Sequence, residues 1–399
     1  MSELFSRRAA ILAGGMTALG LVAPRWLSAI AQADVLKPGK RNPNTVLVVC
    51  QLSGGNDGLN TVVPYADKNY YQLRPTIGIP EDEVHKMDER VGFNPGLSGL
   101  ANLYKQGKVA VVQNVGYPNP SRSHFKSMEI WQSASPEGAF QNGWIGRHFD
   151  VELSHHPLSP VSAVALASER PLLLEAEWAR IPCFASLADV QNLVGDLDSE
   201  KRLGHIHGTE ANPTTLQRTV REANCAAQLQ TFVPKQTYNA DPFGNGFRQA
   251  AQLIVSSPAT RLVYFSAGGF DTHARQVEHH QGLLKQFGDA VNSFQNEMEA
   301  IGRAENVVVM TFSEFGRRAN ENASMGTDHG AAAPMFLIGN RVKGGLHGSI
   351  PDLGRLVEGD VEHKIDFREV YAEVLDQWLG GDSEVVLGQR FMPVDLFAS

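Results

Sequence analysis

The chain has 399 residues, of which 42% are hydrophobic, 20% charged and 8% aromatic, proportions that exclude a disordered chain, a collagen-like repeat or a coiled coil. With 35 basic against 43 acidic residues the formal charge is −8, and without clustered Lys and Arg to meet phosphates, nucleic acid is not an expected partner. Three cysteines cannot build a disulfide framework.

In chain order, Ser6-Arg7-Arg8 precedes an apolar stretch over residues 9–23, too short to span a bilayer, and Ala31-Gln32-Ala33 follows as a small-x-small cleavage site. Residues 1–33 therefore read as a twin-arginine export signal, cleaved near Ala33. This predicts a periplasmic or secreted protein, with the twin-arginine export machinery as a partner and no membrane anchor after cleavage. Loss of Arg7, Arg8 and Arg25 against Glu3 takes the charge from −8 to −10. That route carries folded proteins, often ones that already hold a metal or cofactor. Residues 34–44 form a polar linker.

Residues 45–52 (TVLVVCQL) form a continuous β-branched run, the pattern of a strand buried on both faces, and Cys50 reads as buried within it. A glycine-rich loop follows over 53–58. The pattern predicts a helix over 94–106, a second buried strand over 109–113, and a helix over 121–132 entered through Pro118 and Pro120. Residues 150–240 are less regular, with short strands at 161–166 and 172–174, and read as an insertion or cap. Cys183 and Cys225, which bracket part of it, are left open to pairing in an oxidising compartment. The rhythm then returns: a helix through 247–255, a strand at 261–265, a long helix over 276–301, strands at 306–312 and 334–338, and a closing helix over 366–378. Strands alternating with helices imply an α/β fold, a largely parallel sheet sandwiched between helices.

In open α/β sheets ligands bind beyond the carboxyl ends of the strands, and the loops there are rich in metal-ligating side chains. Asp57 follows the first strand, Asp271 and His273 follow the 261–265 strand, and Glu314 follows the 306–312 strand. Asp328 and His329 come just before the 334–338 strand, and His347 is a further candidate. Carboxylates and imidazoles gathered from separate strand ends suit one or two divalent ions, Zn, Mn, Mg or Ca. Taken singly, Asp271 and Asp328 also serve as turn formers or caps. A second chemistry sits at the start of the 121–132 helix. Ser123 or Ser121 is placed to attack as a nucleophile at a helix N-terminus, which favours developing anions, and Arg122 to clamp an anionic substrate oxygen. The plain alternative is a serine N-cap followed by surface residues.

Five motifs occur in order: Leu52-Ser-Gly-Gly-Asn-Asp-Gly-Leu-Asn60, Ser121-Arg-Ser-His-Phe125, Gly268-Gly-Phe-Asp-Thr-His273, Phe312-Ser-Glu-Phe-Gly-Arg317 and Thr327-Asp-His-Gly330. Together they resemble the domain-of-unknown-function 1501 family of exported proteins, over nearly the whole chain. That family is in turn similar to the alkaline phosphatase and sulfatase superfamily. The resemblance implies a single alkaline-phosphatase-like α/β domain over 45–399, with one or two divalent metals in the strand-end loops. It also implies hydrolysis or transfer of phosphate or sulfate esters through a Ser, Thr or formylglycine nucleophile.

Position by position the match is partial. Asp271 and His273 fill the slot of an Asp/His pair. Glu314 replaces the carboxylate of the Asp-His dipeptide after the next strand, and the histidine is absent. His329, ahead of Ala333-Pro334, matches the last histidine. A competing alignment makes Asp328-His329 the dipeptide and His347 the last ligand. The superfamily's first carboxylate is replaced by Ser53-Gly54, which leaves Asp57 four residues on. The sulfatase cysteine position is Pro118, so formylglycine chemistry is excluded and Ser123 or Ser121 must supply any nucleophile. The expectation is an exported metal-dependent hydrolase of small anionic esters, phosphoesters before sulfoesters. Its rival is a non-catalytic periplasmic binding or assembly protein that keeps the fold with a degraded metal site.

Overall fold

A computed structural model describes residues 44–159, 161–188 and 232–398. The expected signal peptide, most of the linker, the 189–231 stretch of the irregular region and Cys225 lie outside the described residues.

The 45–52 run forms β1 (Val46–Leu52), every residue of it buried. Side chains alternate across a strand, so Val46, Val48, Cys50 and Leu52 enter one core and Leu47 and Val49 the other. The chain continues through α1 (Gly58–Thr61), β2 (Val62–Val63), α2 (Lys68–Leu73), β3 (His85–Lys86), β4 (Gly92–Phe93), α3 (Ser98–Lys105), β5 (Val109–Gly116), α4 (His124–Ser133) and α5 (Trp144–His155). Next come β6 (Ala163–Leu166), β7 (Cys183–Phe184), α6 (Pro242–Ser256), β8 (Leu262–Ala267), α7 (Gln276–Ala300) and β9 (Val307–Phe312). It closes with β10 (Ala333–Ile338), β11 (Gly345–His347), β12 (Ile365–Asp366), α8 (Phe367–Glu373) and α9 (Ser383–Leu387).

Among the described residues the main sheet has the order β11-β5-β10-β9-β1-β8-β6-β7, with β12 also on β5. All pairs are parallel except those of β10, which runs antiparallel to both β5 and β9. Helices α3, α6 and α7 cover one face with Leu100, Phe243, Phe247, Phe287 and Phe294. Helices α4, α5 and α8 cover the other with Trp131, Trp144, Phe149 and Tyr371. The result is an open, mostly parallel sheet between two helical layers. A small antiparallel sheet, β2-β4-β3, sits beside it. No helix among the described residues is long and apolar enough to cross a membrane.

Several elements differ from the sequence reading. Residues 172–174 form a 3-10 turn rather than a strand. Pro171 fixes its start, Leu174 N–H donates to the Pro171 carbonyl at 3.0 Å, and Leu173 N–H donates to Gln132 Oε1. The described part of the irregular region is joined to the sheet, since β6 pairs with β8 and β7 with β6. Helix α6 begins at Pro242, earlier than read, because the Asp241 side chain caps Gly244 N–H at 2.8 Å. The closing helix passes into a π-helical stretch over Val374–Leu379.

Candidate metal centre

The carboxyl ends of β1, β5, β8 and β9 lie at one edge of the sheet, and reversed β10 brings its amino end to the same edge. Loops from these strands must approach closely, and glycine permits it. Gly54, with φ +121°, lies where an added Cβ would stand 2.4 Å from Asp271 N. Arg317 then ties the loops together from a fully buried position. Its guanidinium donates to the carbonyls of Gly54, Gly55 (2.7 Å), Phe270 (3.0 Å) and Thr327 (2.7 Å), and to Asp271 Oδ1 (2.6 Å). These acceptors come from the loops after β1 and β8 and the one before β10. A planar fork of five donors is suited to such a task.

Three imidazoles surround Asp271. His273 Nε2 and His329 Nε2 lie 3.0 and 3.1 Å from its Oδ1 and 2.9 Å from each other. His124 Nε2, from the first residue of α4, lies 3.5 Å from Oδ2. The far nitrogen of each ring is held by an oxygen that can only accept. His124 Nδ1 is 2.9 Å from Glu314 Oε1, His273 Nδ1 is 3.3 Å from Asp328 Oδ1, and His329 Nδ1 is 2.8 Å from the Arg122 carbonyl. Each Nδ1 must therefore carry the hydrogen, which leaves Nε2 as a lone pair in the neutral ring. Histidines that ligate metals are anchored in this way from behind.

The donor set fits a divalent ion. Asp271 Oδ1 and the Nε2 atoms of His273 and His329 are acceptors crowded within 3.1 Å of one another, an arrangement that needs a positive centre. A triangle of those sides has a circumradius of about 1.7 Å, shorter than the ~2.0–2.2 Å of Zn–N and Zn–O bonds, so one ion can reach all three atoms. His124, Asp271 and His329 likewise each offer an atom within 4.8 Å of the others. Burial alone would raise the Asp271 carboxyl. The Arg317 guanidinium bonded to Oδ1, together with the adjoining His329 and His273 rings, outweighs it and holds the pKa down to about 2. The carboxylate is thus ionised and ready to ligate at neutral pH.

The structure brings together Asp271, His273 and His329 from the sequence reading and adds His124, which that reading missed. Its signal was present: an imidazole within a Ser-Arg-Ser-His stretch at the end of a buried strand. Glu314 and Asp328 stand one layer back, bonded to ring Nδ1 atoms rather than facing the centre. Asp57 is elsewhere. Its Oδ1 caps Leu59 and Asn60 N–H, and its Oδ2 takes Arg74 at 2.6 Å and Gln276, with both ion-pair partners fully buried. No lone pair is left for a metal. Burial would raise its pKa, but Arg74 and the other partners hold it below the ordinary value. His347 lies on edge strand β11, level with Val112 of β5, with Nε2 2.6 Å from the Lys343 carbonyl. The alignment that makes it the last ligand does not match this placement.

Arg122 contributes its carbonyl to His329, while its guanidinium is spent on Asp360 Oδ2 at 2.6 and 3.2 Å. The expected clamp on substrate is therefore already engaged by a buried acid. Ser121 N–H donates to the Tyr117 hydroxyl, and Ser121 Oγ accepts from Ser123 N–H at 3.3 Å. Ser123 is the exposed N-cap of α4, and its hydroxyl makes no capping bond.

Comparison with known proteins places the chain. Among solved structures it is similar to a protein in the alkaline phosphatase superfamily from Vibrio parahaemolyticus, at 8% identity and TM-score 0.41, covering 93% of this chain and 80% of that one. It is also similar to the PsFucS1 sulfatase from Pseudoalteromonas sp., at 10% identity and TM-score 0.40, covering 95% and 77%. A third is the soluble domain of lipooligosaccharide phosphoethanolamine transferase A from Neisseria meningitidis, at 12% identity and TM-score 0.37, covering 88% and 94%. All three likenesses are distant. No curated protein matches the sequence significantly. The profile described as "Protein of unknown function (DUF1501)" matches residues 44–389, nearly the whole of the described chain, and the protein belongs to that family.

Proposed function

We propose that this chain is an exported metal-dependent hydrolase or transferase of small anionic esters, phosphoesters before sulfoesters. The observation that carries the reading is the convergence of three Nε2 lone pairs on Asp271, each ring held from behind by an oxygen. His124, His273, His329 and Asp271 would hold the ion, and three imidazoles with one carboxylate suit Zn better than Mn, Mg or Ca. Such an ion supplies a Lewis acid and lowers the pKa of a nearby hydroxyl or water. Export through the twin-arginine machinery rests on Arg7 and Arg8 and the apolar stretch behind them.

The residues of the chain do the rest. The side chains of Asp271 and His273 are 48% and 43% exposed, which leaves one side of the cluster open to a substrate. Ser123 precedes His124 at the N-terminus of α4, where helix dipole and backbone N–H groups favour an anion, and its hydroxyl is the candidate nucleophile. Arg317 keeps Asp271 ionised and in place. The rival reading, a binding or assembly protein, is favoured by one observation: the Arg122 guanidinium is committed to Asp360 and offers no clamp to a transition state.

The test is turnover of aryl phosphate and aryl sulfate esters by the metal-loaded protein. The parent should hydrolyse one class, His329→Ala should lose both bound metal and turnover, and Ser123→Ala should keep the metal and lose ~100-fold or more in kcat. Stoichiometric metal with no turnover of either ester would defeat the hydrolase reading and favour the binding protein.

A further inference from the structure

Building on the metal reading above, we propose that the centre takes a single divalent ion and that Arg317 supplies the remaining positive charge of the site.

The argument begins with which acids can reach an ion. An imidazole's two nitrogens face away from each other. A carboxylate bonded at Nδ1 therefore lies on the far side of the ring from an ion at Nε2. Glu314 is bonded to Nδ1 of His124, and Asp328 to Nδ1 of His273, so neither can ligate the ion that those rings face. Glu314 Oε1 is further occupied by Gly54 N–H at 2.8 Å. Asp57 has given both oxygens to Arg74, Gln276 and the backbone of α1. What remains around Asp271 is three Nε2 atoms, those of His273 and His329 at Oδ1 and that of His124 at Oδ2, which with the carboxylate make the complement of one ion. A second ion would have to share Asp271, whose Oδ1 already faces Arg317 at 2.6 Å and the His273 and His329 Nε2 atoms, which leaves it only Oδ2 and His124 Nε2, two ligands where an ion needs more.

Charge gives an independent count. With neutral histidines, the cluster holds three negative charges, on Asp271, Glu314 and Asp328. Arg317 and one divalent ion supply three positive ones, which leaves the group neutral. A second divalent ion would leave an excess of two positive charges beside a fully buried guanidinium. The adjoining charges do not change this balance, since Asp57 pairs with Arg74, and Arg122 and Arg318 are matched by Asp360 and Glu358.

The experiment uses the full chain, freed of metal and titrated with Zn²⁺ by calorimetry, with native mass spectrometry for stoichiometry and electron paramagnetic resonance on the Mn²⁺-loaded form. The expected result is one ion per chain, a single binding event, and the spectrum of an isolated Mn²⁺. His124→Ala and His273→Ala should each weaken that same event by tenfold or more. Two ions per chain, a spin-coupled Mn²⁺ pair, or either variant removing one of two binding events would overturn the single-ion inference and leave the metal reading standing. A folded parent that binds no ion would overturn both.

Discussion

Asp57 and Glu314 are both buried carboxylates at strand ends, yet their surroundings separate them. Asp57 faces the Arg74 guanidinium with neither group exposed, so removing the acid strands a buried charge. Asp57→Ala should therefore cost about 3–5 kcal/mol in urea unfolding while the folded fraction keeps its metal affinity. Glu314 orients His124 instead. Glu314→Gln keeps the acceptor oxygen and loses the charge, so it should stay folded and bind metal about 10–100-fold more weakly in a competition titration. A third buried group sets a pH response. His280, hydrogen-bonded to Asn56 Oδ1, has its pKa lowered to about 4, chiefly by burial and further by Arg74, Arg317 and His279. Between its unfolded pKa of about 6.5 and that value, the unfolded chain takes up a proton that the folded chain refuses. Its stabilising contribution is thus present above about pH 6.5 and is lost as the pH falls toward about 4, by roughly 3 kcal/mol. His280→Gln should flatten the stability profile in that window, and an unchanged slope would assign the acid sensitivity to other groups.

At the scale of elements, the centre depends on how closely loops from different strands approach. Gly54 has a positive φ and no room for a side chain against the backbone at Asp271. Gly54→Ala should push the loop after β1 away from the loop after β8, costing about 1–3 kcal/mol in backbone strain alone. Metal affinity should fall with it, as read by the same competition titration. The same scale explains what the amino-acid pattern reveals and what it hides. The run over 45–52 is legible because a strand buried on both faces is apolar at nearly every position, here all but Thr45 and Gln51, and the meeting of Asp271, His273 and His329 is legible because all three stand in loops at strand ends. The direction of β10 is hidden, since a run such as Ala333–Ile338 is apolar in either orientation. The roles of Glu314, Asp328 and His124 are hidden for a related reason. Spacing along the chain does not say which nitrogen of a ring a carboxylate will meet. Asp57 misleads because its partner, Arg74, comes from α2's C-terminal cap, a contact no local motif announces.

For the molecule as a whole, the order of strands matters as much as their edges. Strand β1 comes first among the described elements but lies in the middle of the sheet, with Leu47 beside Leu262 and Val46 beside Val307. During synthesis it emerges long before either neighbour exists, so both of its hydrogen-bonding edges must wait for more than half the chain. A polypeptide cut short of Val307 would keep one of those edges open, lined by a β-branched run with no charge to blunt it. Such fragments should aggregate where the full chain stays soluble, which centrifugation of stalled or truncated products would measure. An interrupted translation product of this protein is therefore a natural client for a chaperone that shields strand edges until the last third of the chain arrives.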